Sequence, residues 1–352
     1  MKKYIIYLFA ISIFASSCKK EQDLSNLKEF FYLRNNGADM PVYIEGNAKS
    51  KIFVVVLHGG PGGDAKVYND YNPYFSDPLE EKYAMVYYDQ RGSGTATGNY
   101  KSSDLTVAQH VEDLEALIAF IQKEFGTDSK IFLMGHSWGG TLGSAFLIKA
   151  GNQDNIAGWI EVDGAHNFNN NIQVCNGLKQ ISEQQIIAEQ NIENWQEIYD
   201  FTSNIDTNNI TDIEMSQLNG YAFKAEQYLV EDSIITTSKT DPKGIFNYMW
   251  FSGHNPLIAK FNLRITNSTM FDEIKNLDLT PELNKITIPC IFMWGRHDYV
   301  IPYQMAYTAY NAVSSINKEV VIFETSGHSV MFNELDLFLE EMMTFVDGVA
   351  EN

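Results

Sequence analysis

The chain has 352 residues, of which 45% are hydrophobic and 13% are aromatic, so it can bury a sizeable core and does not resemble a disordered protein. Its length suits one large domain, or one domain with an insertion. Acidic residues outnumber basic ones by 45 to 25, which argues against nucleic acid and anionic lipid headgroups as partners.

The N-terminus is predicted to be a targeting segment rather than part of the fold. Two lysines precede an apolar run, 4–15, that is too short to span a bilayer comfortably. Small residues then precede Cys18, and this pattern resembles a bacterial lipobox. We therefore expect residues 1–17 to be a signal peptide, Cys18 to carry a lipid and residues 18–27 to be a tether. This would place the protein on the periplasmic side of the outer membrane or on the cell surface; an ordinary signal peptide or a short membrane anchor is the alternative.

Apolar runs separated by helical patterns dominate the first half of the chain. The helical spacing of apolar residues predicts helices over 106–125 and 141–150. Strands alternating with helices predict a mostly parallel sheet with helices on both faces, an α/β fold. Strands are predicted at 29–34, 41–45, 51–57, 83–88, 130–134 and 156–162.

The alternation stops between residues 166 and 285, where the chain is rich in Asn, Gln and Glu and has helical patches such as 181–201 and 213–231. We predict that this stretch is a largely helical lid inserted into the α/β core, which would comprise residues 28–165 and 286–352. The alternation then resumes with a strand at 290–294, a helix at 302–313, a strand at 319–324 and a helix at 334–349.

The pentapeptide Gly135-His136-Ser137-Trp138-Gly139 lies between a predicted strand and a predicted helix. In that context the pattern Gly-x-Ser-x-Gly is typical of a nucleophile elbow, in which a strained turn projects the serine above the sheet. The glycines two residues on either side remove Cβ atoms that would clash. The alternative is a glycine-rich turn whose serine only caps the helix.

A serine nucleophile needs a general base and an acid that orients it. His328 lies in the loop after the last predicted core strand, and Asp298 lies at the end of the strand before it. The carboxyl ends of parallel strands meet at one edge of a sheet, so we predict a triad of Ser137, Asp298 and His328. Asp163 also follows a strand and is the rival acid. The other histidines are expected to shape loops or helix faces.

Acyl transfer also needs donors for the oxyanion that develops on the substrate. One predicted donor is the backbone N–H of Trp138. The second should come from the loop 58–63, His-Gly-Gly-Pro-Gly-Gly, where glycines let a carbonyl approach the backbone. Gly60 is the predicted donor and Gly59 the alternative. A phosphate-binding role for this loop is disfavoured, since no Lys-Ser/Thr follows it.

Two further pairs of residues are expected to be structural. Asp89 and Arg91, after the second core strand, should fix loops by charge-assisted hydrogen bonds rather than contact substrate. Cys175 and Cys290 could form a disulfide, although no sequence pattern supports one. No Cys/His spacing typical of a metal site occurs, and no cofactor is expected.

Five motifs together resemble the α/β-hydrolase superfamily and are most similar to the proline iminopeptidase branch of serine peptidases. That resemblance implies release of an N-terminal residue, often proline, from short peptides through an acyl-enzyme. His136 departs from the branch and is common in esterases of the same fold, so a carboxylesterase or amide hydrolase acting on small acyl substrates is the alternative. A non-catalytic surface-binding lipoprotein is a remote third. The motifs are HGGPGG (58–63), DQRGSG (89–94), GHSWGG (135–140), GRHD (295–298) and SGH (326–328).

In that family, acidic lid residues hold the ammonium group of the substrate, because a buried cation needs a paired charge. The lid has 16 Asp and Glu against 8 Lys and Arg, which suits amine binding and equally suits a solvated acidic surface. Glu214, Glu226 and Glu231 are the candidates. Four aromatic residues could line an apolar acyl pocket or pack the core of the lid: Phe246, Tyr248, Trp250 and Phe251.

Overall fold

The computed structural model describes residues 23–237, 241–250 and 255–351. The predicted signal peptide, Cys18 and the first half of the tether lie outside these residues, so lipidation and export stay predictions. No helix within the described ranges is long and apolar enough to cross a membrane.

The described residues form a nine-stranded sheet that is mostly parallel, as predicted. The first two strands form an antiparallel hairpin, and β2 is also antiparallel to β4; every neighbouring pair from β4 to β9 is parallel. The order across the sheet is β1-β2-β4-β3-β6-β7-β8-β9, with the short β5 on β2. The strands are β1 (Leu27–Asn35), β2 (Ala38–Gly46), β3 (Ile52–Leu57), β4 (Ala84–Tyr88), β5 (Thr97–Gly98), β6 (Lys130–His136), β7 (Gly158–Val162), β8 (Cys290–Gly295) and β9 (Lys318–Phe323).

Helices cover both faces of the sheet, and α4 to α8 form the helical insertion between β7 and β8. The helices are α1 (Pro73–Lys82), α2 (Val107–Phe125), α3 (Trp138–Ile148), α4 (Asn171–Ile187), α5 (Ile192–Asn204), α6 (Asp212–Glu231), α7 (Pro242–Trp250), α8 (Pro256–Ile274), α9 (Gln304–Ala312), α10 (Val330–Asn333) and α11 (Leu335–Ala350).

The central strand β3 shows why the sequences of these strands are continuous apolar runs. Phe53 and Val55 pack into the apolar layer beneath α2, α3 and α9, whereas Val54 and Val56 pack into the layer beneath α1 and α11. Successive side chains of a strand point to opposite faces, so a strand buried on both faces has no polar positions to alternate with apolar ones.

The lid leaves and rejoins the core through a short antiparallel pairing of Asn167 with Asp278. Its own apolar core lies between α4, α5 and α6, where Trp195 and Leu218 are fully buried. The single helical patch predicted over 181–201 is wrong: Glu189 and Asn191 adopt positive φ values of 57° and 37°, which separate α4 from α5. Two left-handed residues so close together cannot continue a right-handed helix.

The disulfide considered between Cys175 and Cys290 is not formed. Cys175 lies in α4 of the lid, Cys290 lies in β8, and both are buried free thiols. Each therefore contributes as a small apolar side chain.

Arg91 and Asp89 have the structural roles predicted for them. The Arg91 guanidinium donates two hydrogen bonds to Asp113 in α2, at 2.8 and 2.7 Å, and also donates to the backbone carbonyl of Asn35 in the first hairpin. Asp89 accepts the backbone N–H of Ala65 at 3.0 Å. These buried bonds connect the hairpin, α2 and the loops at the carboxyl edge of the sheet.

We expect Arg91→Ala to lower the free energy of unfolding by about 3–5 kcal/mol, because the Asp113 carboxylate would be left buried without its partner. Arg34→Ala is the matched control: Arg34 pairs with Asp39 on the surface, where an ion pair contributes about 1 kcal/mol or less. Urea unfolding followed by tryptophan fluorescence measures both. Equal losses in the two variants would contradict the structural role of the buried pair.

Candidate active site

Ser137 forms a strained turn between β6 and α3. Its φ of 55° and ψ of −119° lie outside the regions that non-glycine residues usually occupy. The flanking glycines are required by close approach: a Cβ on Gly139 would lie 1.9 Å from the carbonyl oxygen of Leu57, and one on Gly143 would lie 2.1 Å from the Trp159 ring. Ser137 is therefore not an ordinary helix cap, and its side chain makes no capping hydrogen bond to α3.

The structure brings the three predicted triad residues together in one hydrogen-bonded series. Ser137 Oγ donates to Nε2 of His328 at 2.9 Å, and Nδ1 of His328 donates to Oδ2 of Asp298 at 2.8 Å. Asp298 is itself held, because its Oδ1 accepts the backbone N–H groups of Val300 and Ile301 at 2.8 and 2.7 Å. This order lets His328 accept the serine proton while the carboxylate orients the ring.

Asp163, the rival acid, lies beside this series but does not contact the imidazole. Its carboxyl group accepts the backbone N–H of Gly295 at 2.9 Å and of Val330 at 3.2 Å. Burial, and then the charge of Asp298, raises the pKa of Asp163 well above its usual value. Asp163 therefore connects the loops that carry the acid and the base.

His136 holds the backbone of His328 from below. Because a carbonyl only accepts, Nε2 of His136 carries the proton and donates to the His328 carbonyl at 2.7 Å; Nδ1 then accepts from the Tyr68 hydroxyl at 2.7 Å. Burial, followed by the neighbouring His328 ring, lowers the pKa of His136 to about 3, so it stays neutral. The sequence predicted a loop-shaping role for His136, whereas nothing in it pointed to Tyr68.

Gln90 connects the glycine-rich loop to the residue after the nucleophile. Its side-chain amide donates to the His58 carbonyl at 3.2 Å, and its side-chain oxygen accepts from Nε1 of Trp138 at 2.9 Å. Both predicted oxyanion donors, Gly60 and Trp138, line the same cavity as Ser137. The loop runs beside the nucleophile, since a Cβ on the alternative donor, Gly59, would lie 3.2 Å from the Ser137 Cβ.

A cavity of about 680 Å³ opens above Ser137 between the core and the lid. Its wall is largely apolar, and Asp64 of the core and Lys275 of the lid are the carboxylate and the ammonium that line it within the described residues. The space is of the size that binds small ligands in proteins. Its apolar side chains include Phe168, Val174, Leu218, Phe223, Leu263, Phe271, Ile274, Val300 and Ile301.

Of the three candidate lid carboxylates, the structure brings only Glu226 to the site. Its two oxygens accept the backbone N–H groups of His328 at 3.0 Å and of Tyr299 at 3.2 Å. Burial, and then the charge of Asp298, raises the pKa of Glu226 to about 8. Glu214 instead caps the N-terminus of α6, and Glu231 is exposed and accepts from a neighbouring amide on that helix.

The aromatic residues considered as an acyl pocket do not line the cavity where they are described. Phe246 is largely exposed on α7. Tyr248 packs edge-on against Tyr71 and donates its hydroxyl to Asp64 at 2.9 Å. The side chain of Trp250 and all of Phe251 lie outside the described part of the chain. Tyr248 therefore bridges α7 of the lid to the glycine-rich loop.

The family model for serine aminopeptidases (S33) matches residues 48–219, which include the elbow and the glycine-rich loop. A proline iminopeptidase from Saccharolobus solfataricus is 28% identical over 301 residues, which cover 84% of this chain and 85% of that protein. Among solved structures, a proline iminopeptidase-related protein from Thermus thermophilus is 19% identical with a TM-score of 0.61, covering 92% of this chain and 99% of that one. An esterase from Exiguobacterium antarcticum is 20% identical with a TM-score of 0.57, and the match covers 91% of this chain and 100% of that one.

The two kinds of comparison carry different conclusions. The structural neighbours are below 25% identity and share the fold alone, whatever their reaction. The sequence match to the proline iminopeptidase from Saccharolobus solfataricus spans most of both chains. With the parallel sheet, the helical insertion and the strained serine, these matches support an α/β-hydrolase fold close to the proline iminopeptidase branch.

Proposed function

We propose that the protein is a serine aminopeptidase that releases the N-terminal residue, proline in the simplest case, from short peptides. The observation that carries this proposal is the hydrogen-bonded series from Ser137 through His328 to Asp298, beside a cavity between the core and the lid. The family match to serine aminopeptidases supports the choice of a peptide substrate.

In the proposed reaction, Ser137 Oγ attacks the scissile carbonyl while Nε2 of His328 takes its proton. The backbone N–H groups of Gly60 and Trp138 hold the oxyanion. The C–N bond then breaks, and His328 gives its proton to the leaving amine. Water enters, His328 removes a proton from it, and the resulting attack releases the N-terminal residue and restores the serine.

An aminopeptidase must also hold a free ammonium group close to the scissile bond. Two carboxyl groups are the candidates in the proposed complex: Asp64 lines the cavity, and Glu226, which is outside the cavity lining, holds the backbone N–H groups of His328 and Tyr299. Both groups have pKa values raised by burial. A cation brought beside them would favour their charged forms, so substrate binding and their ionisation support each other.

A carboxylesterase is the second candidate, and His136 is the observation that favours it. Its ring supports the His328 backbone directly below the cavity, and this arrangement makes no use of a substrate amine. The same nucleophile and base would then act on small esters, with Asp64 and Glu226 serving structural roles only.

Activity toward an ester without titratable groups should fall as the pH drops through a midpoint below 6.5. Burial lowers the pKa of His328 from the 6.5 of an exposed histidine, and only the neutral ring can accept the serine proton. The pH dependence of kcat/KM measures this value in the free enzyme. An acid limb centred above 7 would contradict the assignment of His328 as a desolvated base.

Ser137→Ala should abolish turnover, with a loss of about 10³-fold or more in kcat, since no other group supplies the nucleophile. Wild-type enzyme should cleave a chromogenic proline amide and leave the N-acetylated amide intact. A short-chain ester serves as the comparison substrate. Turnover of the ester with none of any free-amine amide would overturn the aminopeptidase assignment, whereas full turnover by Ser137→Ala would overturn the hydrolase mechanism itself.

Asp64→Asn and Glu226→Gln should each reduce kcat/KM for the free-amine amide by about tenfold or more, because each removes a charge paired with the ammonium group. Ester turnover should change much less in Asp64→Asn. Glu231→Gln is the matched control, since its carboxylate is on the same helix as Glu226 but is exposed. Equal losses on amide and ester in both variants would show that these carboxyl groups only support the fold.

A further inference from the structure

A recess of about 510 Å³ adjoins the cavity above Ser137, between α6 and α8 of the lid. Four residues line both spaces, so the two are adjacent parts of one cleft region: Ser216, Leu263, Asn267 and Phe271. The recess is also lined by Asp212 of α6 and by Lys260 and Arg264 of α8. None of these three residues lines the part of the cleft around the nucleophile.

The charge of the recess is opposite to that of its surroundings. The protein carries a formal net charge of −20, yet Lys260 and Arg264 face the recess from one helix. Asp212 does not neutralise them, because it binds Lys275 at 3.0 Å, as does Asp272 at 2.8 Å. Within the described ranges, neither Lys260 nor Arg264 makes an ion pair, and both are exposed. The recess is therefore lined by two cations that make no ion pair among the described residues and by one carboxylate that is bound to Lys275.

Helix α8 connects these charges to the cavity. Lys260 and Arg264 are four residues apart and lie on one face of the helix. Leu263, the neighbour of Arg264, lines both the recess and the cavity that holds Ser137. One helix therefore carries side chains that border the recess and side chains that border the nucleophile's cavity.

We propose that the recess binds the C-terminal carboxylate of the peptide whose N-terminus lies at Ser137. This rests on the proposed aminopeptidase function and extends it, since it makes short peptides with a free carboxylate the preferred substrates. Arg264 can hold both oxygens of a carboxylate with its planar guanidinium, and Lys260 adds a second charge one turn away. The apolar wall between the two ends accommodates the intervening side chains.

The test compares one proline-initiated pentapeptide as the free acid and as the C-terminal amide. We expect the wild type to have a KM about fivefold lower for the acid, with the same kcat, and the difference to shrink in high salt. The double variant Lys260→Gln/Arg264→Gln should raise the KM of the acid to that of the amide. Lys224→Gln is the control, because this exposed lid cation pairs with Glu197 and does not line the cleft.

Equal KM values for acid and amide in the wild type would overturn the proposal, as would a difference that survives in the double variant. A double variant that loses binding to vesicles containing anionic lipid while its KM values stay unchanged would also overturn it, since the charges would then serve a membrane surface.

Failure of the aminopeptidase function is recognised separately, by the absence of peptide turnover. Anion binding in the recess is then tested with two ester substrates, one whose acyl chain ends in a carboxylate and one whose acyl chain ends in the methyl ester of that carboxylate. A lower KM for the carboxylate that disappears in the double variant supports an anion site in an esterase; equal values overturn the site as well.

Discussion

The position of one imidazole determines what this site can do. His328 is held from two directions through its ring, by Ser137 and Asp298, and from two more through its backbone, by His136 and Glu226. A ring fixed only by the serine could rotate away from the acid. Fixing both the ring and the main chain keeps Nε2 within reach of Oγ, and that distance governs proton transfer.

Three carboxyl groups surround that imidazole in a largely buried setting: Asp298, Asp163 and Glu226. Three adjacent buried negative charges would repel each other, and burial raises the pKa of Asp163 and Glu226 accordingly. A raised pKa means that each group keeps its proton to a higher pH than an exposed carboxyl group does, which reduces that repulsion. The same two groups favour the charged form of His328, which opposes the effect of burial on its pKa. In the proposed reaction, an imidazolium formed on His328 would be stabilised by whichever of these groups is ionised.

The sequence was sufficient for the elbow and for Asp298 and His328, because strand ends of a parallel sheet must meet at one edge. The sequence was insufficient to show which residues hold the backbone of His328. Glu226 lies in the lid, 102 positions from His328, and nothing local distinguishes it from Glu231. Helix α8 was not predicted because its apolar residues Leu257, Phe261 and Leu263 stay exposed, so the helix has no clear amphipathic pattern. Tertiary hydrogen bonds hold this helix on the core, such as the one from Thr266 Oγ1 to the Gly92 carbonyl at 2.6 Å.

The lid therefore does more than cover the cavity. It contacts the core at the catalytic edge through Glu226 on the His328 loop, through Tyr248 on Asp64 and through Thr266 on Gly92. In the proposed function, Glu226 would balance the substrate ammonium while its oxygens still accept backbone N–H groups of the base's own loop. Recognition of a free amine and alignment of the base would then depend on one side chain, so a bound cation would alter the field that His328 experiences. A lid with a different acid at this point could keep the elbow and the sheet and yet select another acyl substrate.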